Sequence, residues 1–292
     1  MIRRYVHLSL VDLVIAAILL FAAFICLYPY LYVFSMSISS PEAVLNREVW
    51  LLPKGFSVKA YLRIFENQDV WLSFYNTIWY TTVGTMINVS MTLIGAYVLS
   101  RKEFFLRNFL TIFMMITMFF SGGLIPLFLL IKNLHLYNTR WALVIPGAVS
   151  FFNVVIARTY IQTSIPEELL DAARIDGAND IRILFTIVVP LSKPIIAVLS
   201  IFSAVGHWNS YFPALLYLQD QRLHPLQLYL RKILILNDPS LVQAIGDVVE
   251  RTMYALQLKY AIIIVATLPI LFIYPFFQKY FVKGILIGSL KG

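Results

Sequence analysis

Charge and cysteine are the two things this sequence has little of. Of its 292 residues only 13% are charged, about half the share found in an ordinary soluble domain. Cys26 is the only cysteine, so no intrachain disulfide and no cysteine-based metal site can form. Within its apolar run it reads as a small buried hydrophobe. There is no G-x-x-x-x-G-K-[ST] run, so the chain builds no phosphate cradle of that kind, and any ATP is hydrolysed in trans. No carboxylate lies near the centre of an apolar run, which argues against a proton- or sodium-coupled carrier built on intramembrane acids. The 4 histidines are scattered, with His135 and His224 in loops, so no catalytic or metal-binding cluster emerges.

What the sequence has in excess is apolar length. Hydrophobic residues make up 60% of the chain and gather in runs long enough for a bilayer, which takes roughly 20 residues per helix. The pattern predicts an all-α membrane protein in a single transmembrane domain, 1–292, with six transmembrane helices over about 12–35, 74–99, 108–131, 141–163, 194–218 and 258–282. Tyr28, Tyr30 and Tyr32, Trp71 and Trp79, and Trp141 sit at the ends of these runs, as interfacial aromatics do. The ionisable residues in or near the runs, Asp12, Arg158 and Lys193, lie toward their ends, where a long side chain can snorkel. The net charge of +8 is spread through loops with no dense basic run, so it fits contact with anionic lipid and not nucleic acid. Arg3 and Arg4 before the first run resemble a signal peptide, but the run is too long and no small-x-small cleavage site follows, so it is expected to be retained.

Six crossings put both termini on one side. Arg3, Arg4, Arg101, Lys102 and Arg107 make that side the cytoplasm, although the outer loops 36–73, 132–140 and 219–257 hold almost as many basic residues. Pro41, Pro53 and Gly55 punctuate the first outer loop before a short helix at Lys59–Phe65, and Asp238-Pro239-Ser240 reads as a helix start in the last. Gly122-Gly123 with Pro126 is expected to bend the third crossing.

The inner loop 164–190 is the most informative stretch. Ser164 and Glu167 have the spacing of a capping box, with Pro166 tolerated in a first turn. Glu167, Glu168 and Asp171 crowd the N-terminal half, where the helix dipole favours acids. Gly177 is placed to end the helix in a left-handed turn, and Asn179 or Asp180 to cap a second helix running to Pro190. Ala172 and Ala173 offer a flat approach for another protein, flanked by Glu168 and Asp171, with Asp176 before the bend. On local features alone, a hairpin that only packs against its own crossings fits equally well.

The run D-A-A-x3-G-x9-I-x-V-P, from Asp171 through Gly177 and Ile187 to Pro190, resembles the E-A-A-x3-G-x9-I-x-L-P loop of binding-protein-dependent ABC importer permeases. Asp171 and Val189 are its two departures. Leu52-Pro53-Lys54-Gly55-Phe56, Asn76-Thr77, Phe120-Ser121-Gly122-Gly123-Leu124-Ile125-Pro126, Trp208-Asn209-Ser210-Tyr211-Phe212 and the tail from Phe281 to Gly292 are similar to the carbohydrate-uptake branch. That branch includes the maltose-permease G subunits and the permeases for complex polysaccharides, alginate-type importers among them. The resemblance implies a type I importer permease fold in the bacterial cytoplasmic (inner) membrane, with the 164–190 loop as coupling helix. It implies a homologous second permease, two ATPase subunits, an extracytoplasmic solute-binding protein and a sugar or oligosaccharide substrate. The chain itself would catalyse nothing and hold no cofactor, ATP and Mg being used by the ATPase. The ATPase-facing residues would be Glu167, Glu168, Asp171, Ala172, Ala173, Asp176, Gly177 and Pro190, and the tail 284–292 would reach the same interface. A permease for a non-sugar solute shares the loop, and a stand-alone carrier or channel shares only the apolar runs.

Neutral polar and aromatic residues suit a sugar, which takes hydrogen bonds on its hydroxyls and stacking on its apolar face. Asn76, Asn88, Asn153, His207, Trp208, Asn209 and Tyr211 are the candidates for the path, with Trp208–Tyr211 the densest group. For each the competing role is an interhelical hydrogen bond or an interface anchor.

Overall fold

The computed structural model describes residues 10–235 and 248–289 and is helical, with no strand among the described residues. The helices are α1 (Leu10–Ser37), α2 (Pro41–Leu45), α3 (Lys59–Glu66), α4 (Gln68–Ser100), α5 (Arg107–Phe119), α6 (Leu124–Asn133), α7 (Phe151–Ser164), α8 (Glu167–Ile175), α9 (Asp180–Leu191), α10 (Lys193–Trp208), α11 (Phe212–Tyr217), α12 (Leu226–Leu234) and α13 (Val248–Ser289). They form two compact units, Met1–Gln68 with Lys232–Leu268, and Asp69–Arg231 with Pro269–Gly292.

Among the described residues, α1, α4 and the Met253–Ile273 part of α13 are each long and apolar enough to cross a bilayer. Two bent pairs, α5 with α6 at 118° and α9 with α10 at 82°, raise the number to 5 if each pair is one crossing. The bend expected in the third crossing at Gly122-Gly123 and Pro126 is present, and two further runs are broken where prolines fall. In the 108–131 run the helix stops at Phe119 and resumes at Leu124. Gly123 sits between at φ 89°, a conformation open mainly to glycine, and Pro126 falls in the first turn of α6, where its missing N–H is not needed. In the 141–163 run only Phe151–Ser164 is α-helical, after a short 3-10 turn at Arg140–Leu143. Pro146 disfavours the helical conformation at Ile145. At 14 residues, α7 is about 21 Å long, less than the roughly 30 Å of a hydrocarbon core. In the 194–218 run α10 ends at Trp208 and α11 starts at Phe212, because Pro213 lacks an N–H and its ring crowds the carbonyl one turn back.

In the first unit, α1 buries only Ser35, Met36 and Ser37. Cys26 is exposed, not buried as expected, since no described residue covers that stretch of α1. The loop after α1 is moored to α13 by Gln257, which has no exposed surface. Its Nε2 donates to the carbonyls of Ser39 (2.6 Å), Ser57 (3.3 Å) and Ser37 (3.4 Å). Ser40 Oγ accepts from Ala43 N at 3.3 Å and caps α2, and α3 forms where Lys59–Phe65 was predicted. Arg3, Arg4, Asp238-Pro239-Ser240 and residues 290–292 lie outside the described residues.

The second unit has two apolar cores. One joins Val89, Leu93 and Ala96 of α4, Val154, Ala157 and Ile161 of α7, Ile195 and Leu199 of α10, and residues of the 165–191 segment. The other gathers Tyr80, Ile131, Leu143, Val144, Tyr217 and Leu228. Beside this second core lies a polar knot. Buried Asn76 donates through Nδ2 to the carbonyls of Arg222 (2.7 Å) and His224 (3.2 Å) and accepts from Arg140 Nη2 at 3.0 Å. Thr77 Oγ1 accepts from Leu226 N at 2.7 Å, and Tyr80 Oη donates to Leu223 O at 2.9 Å. Arg140 also lies over the rings of Trp79 and Tyr75, 5.2 and 5.5 Å from their centroids.

Candidate functional site

The segment after α7 folds into a tight two-helix hairpin. Ile165 is extended, as the residue before a proline prefers, and α8 starts only at Glu167 with Pro166 as its cap residue. The expected Ser164–Glu167 capping box does not form. Ser164 is the last residue of α7, and the Ile165-Pro166 step carries it away from the start of α8. The C-terminal end follows the sequence closely. Gly177 has φ 79°, its N–H bonds Arg174 O at 2.9 Å, and the Ala178 N–H bonds Ala173 O at 2.9 Å. This is the Schellman pattern, which needs a left-handed residue at that place. A Cβ on Gly177 would meet no atom within 4 Å, so the requirement is conformational and not steric. Asn179 Oδ1 accepts from Arg182 N at 2.8 Å and caps α9. Residues Leu184–Val188 of α9 are wound as a π-helix, directly before Pro190, whose ring and missing N–H disturb the regular ladder.

One face of the hairpin is fixed and the other is free. Leu170 is buried in the core that holds Ala96, Ile161 and Ile183, with Ala173 and Ala178 packed beside it. Burying one leucine side chain contributes about 2 kcal/mol. Glu168, Leu169, Asp171, Ala172, Ile175 and Asp176 are exposed, Ile175 at 87%. The two alanines therefore do not share a face: Ala172 points out and Ala173 packs inward.

Arg174 organises the charges. It pairs with Glu103 through both nitrogens of its fork, each at 3.1 Å, and lies 3.5 Å from Asp180 Oδ1 and 3.8 Å from Asp171 Oδ1. Tyr97 Oη donates to Asp180 Oδ1 at 3.1 Å, and Lys102 Nζ bonds Glu167 Oε2 at 3.0 Å. The hydrogen bond from Arg174 holds the Glu103 carboxyl below the ordinary carboxylate range, and the same bond raises Arg174. Isolated exposed pairs contribute about 0–1 kcal/mol, but the forked pairing fixes the geometry between the turn after α4 and the bend of the hairpin. Asp171 keeps only the 3.8 Å contact, and Glu168 makes no ion pair among the described residues. Both carboxylates thus remain available on the outer face. Sequence reasoning passed over Arg174 and Glu103. The signal was the i,i+3 spacing of Asp171 and Arg174, while the partner in the preceding loop had no local signature.

The path candidates are dispersed. Asn88, Asn153 and His207 do come together, lining a cleft of about 280 Å³ with Ser203 and Ser210. Neither Asn88 Oδ1 nor His207 Nε2 has a hydrogen-bond partner. His207 lies so close over α4 that a Cβ at Gly84 would stand 2.4 Å from its Nε2. Trp208 is buried edge-on against Phe74, with centroids 5.9 Å apart, and lines a separate, mostly apolar cleft of about 310 Å³ with Thr81, Thr85 and Ser200. Asn209 bonds Val205 O at 3.0 Å and Gln227 Nε2 at 3.4 Å. Tyr211 is exposed beside Phe212. Asn76 is fully engaged in the knot. The Trp208–Tyr211 group is split because the helix ends at Trp208.

Residues 83–287 match the family of binding-protein-dependent transport system inner membrane components. The chain belongs to that family. This permease is 40% identical over 288 residues to the polygalacturonan/rhamnogalacturonan transport system permease protein YtcP of Bacillus subtilis (strain 168), covering 97% of this chain and 99% of that one. It is also 40% identical over 269 residues to protein LplC of the same organism, covering 92% of this chain and 90% of that one. Among solved structures it is similar to a bacterial ABC transporter involved in the import of the acidic polysaccharide alginate. The TM-score there is 0.86 at 33% identity, over 96% of this chain and 100% of that chain. The permease therefore has the type I ABC permease fold and is the non-catalytic, multi-pass membrane subunit of an ABC importer.

Proposed function

We propose that this permease forms half of the translocation path for an oligosaccharide, and that the α8–α9 hairpin takes the push of a separate ATPase. The observation that carries this reading is the continuity of one core. Leu170, Ala173 and Ala178 of the hairpin pack in the same apolar cluster as α4, α7 and α10, so displacing the hairpin displaces helices that line both clefts. Its opposite face presents two lightly held carboxylates and the exposed Leu169, Ala172 and Ile175, a surface suited to a basic-rimmed apolar groove on a partner. On this reading the partners are a homologous second permease, two ATPase subunits using ATP and Mg, and an extracytoplasmic binding protein. The chain crosses the cytoplasmic membrane six times, with α7 as a short crossing and both termini inside. ATP binding closes the ATPase pair, the hairpin moves, and the pore turns from inward-open to outward-open to receive the substrate. Hydrolysis then resets it.

The uncharged cleft of Asn88, Asn153, Ser203, His207 and Ser210 supports a substrate rich in hydroxyls. The relatives named for polysaccharide import support an oligosaccharide in particular. Gly177→Pro and Asp171→Arg test the coupling. In the reconstituted importer both are expected to cut uptake at least about tenfold, the equivalent of about 1.4 kcal/mol, while membrane insertion and basal ATP hydrolysis persist. Normal uptake by both variants would refute the reading.

A further inference from the structure

Arg107 and Arg158 are two cations that neither the hairpin nor the clefts use. Arg107 opens α5 and stands on its half-buried face with Leu110 and Met114, which pack against the core that holds Val154, Ala157 and Ile161 of α7. Arg158 lies one turn after Val154 on that same α7, about 9 Å short of its end. The two helices pack together, so both guanidiniums belong to one seam. We propose that this seam is a binding site for an anionic phospholipid, whose phosphate is gripped between Arg107 and Arg158.

Three observations point to an anion. The first is that the charges are uncompensated. Arg107 lies near enough for its charge to act on Arg158, and no carboxylate does so. Among the described residues neither arginine forms an ion pair. Two like charges held together repel until an anion stands between them. The second is how the side chains are seated. Each is half-buried, with its Nε enclosed and without an acceptor, while the terminal nitrogens stay open. A phosphate is therefore taken end-on by the two forks, the geometry in which guanidinium binds it strongly. The third is that α5, 13 residues long, begins with no side-chain cap and no acid in its first turn. Its leading N–H groups and dipole favour a negative group at the same end.

The surroundings select a lipid over a free anion. Phe109 and Ile112 of α5 and Phe152 and Val155 of α7 are exposed, an apolar flank that suits acyl chains and that free phosphate leaves bare. Two positive charges also call for a headgroup with a net negative charge. A phosphate seated here braces the start of α5 against α7, the helix that leads into the hairpin. The site rests on the reading that α7 and the α5–α6 pair cross the bilayer, and not on how the ATPase docks.

The test uses the whole importer complex in nanodiscs of mixed phosphatidylglycerol and phosphatidylcholine, and counts retained lipids by native mass spectrometry. Retention is read apart from uptake, so its failure leaves the coupling reading standing. The wild type is expected to keep phosphatidylglycerol in preference to phosphatidylcholine. Arg107→Gln and Arg158→Gln are each expected to lower that retention about tenfold, as loss of charge-assisted hydrogen bonds implies. The double substitution should add little, because both forks hold one phosphate. Arg107→Glu is expected to abolish retention and yet to raise the melting temperature in phosphatidylcholine alone, since its carboxylate meets Arg158, a direction that misfolding cannot mimic. Equal retention of the two lipids, or retention insensitive to both arginines, overturns the proposal. So does an assembled importer that keeps no phosphatidylglycerol, the result expected if a carboxylate of the second permease fills the seam. Arginine-dependent binding of radiolabelled inorganic phosphate in phosphatidylcholine, undiminished by added phosphatidylglycerol, overturns the assignment to a lipid.

Discussion

Two places in the same compact unit hold the chain together by opposite means. At the Asn76 knot, neutral side chains make buried bonds to backbone groups about 146 residues away in sequence, and Arg140 is sandwiched between Asn76 and two aromatic rings. At the α8–α9 hairpin, local caps set the shape, exposed ion pairs set the charge, and Leu170 is the only buried residue of α8. A buried, fully satisfied polar group is costly to disturb. An exposed pair is not. The knot is built to stay in place, whereas the hairpin is built as a shaped lever that docks on one face and leaves the other open.

The sharpest way to break this contrast is at the knot. Asn76→Leu removes three hydrogen bonds and leaves the carbonyls of Arg222 and His224 and the Arg140 guanidinium without the amide that joins them. It is expected to destabilise the protein by about 4 kcal/mol, seen as a lower melting temperature of the purified complex. A variant that melts normally would mean the knot is ornamental. Next comes the hairpin's anchor. Leu170→Ala is expected to cost about 3 kcal/mol of docking, but locally: hydrogen exchange should rise across 167–178 and remain unchanged around Asn76. The smallest effect belongs to the charges. Glu103 has a depressed pKa in the folded state, so the stability it contributes is present above the ordinary value of about 4.3 and is lost as pH falls through the depressed one. Exchange in the hairpin, corrected for intrinsic rate, is therefore expected to be flat from about pH 8 to 5 and to rise below about pH 4. Glu103→Gln should remove that rise. A pH response around Asn76 instead would reverse the assignment of the charges.

The hairpin was largely legible in the sequence because its determinants are local. Gly177 and Asn179 act within one turn of themselves, so their roles could be assigned without knowing what lay nearby. Ser164 misled because its capping spacing was right, but the Ile165-Pro166 step, a steric fact one residue on, separates it from α8. The apolar runs marked where membrane helices lie, yet hydropathy does not register backbone breaks. Gly122-Gly123 with Pro126 did announce the bend of the third run, but Pro146 and Pro213 divide two more, and the break after Trp208 scattered the expected aromatic group. The pairing of Arg174 with Glu103 spans 71 residues and the gathering of Asn88, Asn153 and His207 spans three helices, so neither had a local signature.

The central claim is that force enters through the outer face of α8. With Cys26 replaced by serine, Ala172→Cys and Ala173→Cys place a thiol on the outer and inner faces of the same turn. In the assembled importer, a short bifunctional reagent is expected to join Cys at 172, and not at 173, to the ATPase subunit, to stop uptake, and to release it again when the link is cleaved. An equal yield from both positions, or a cross-linked importer that still transports at the normal rate, would contradict the account.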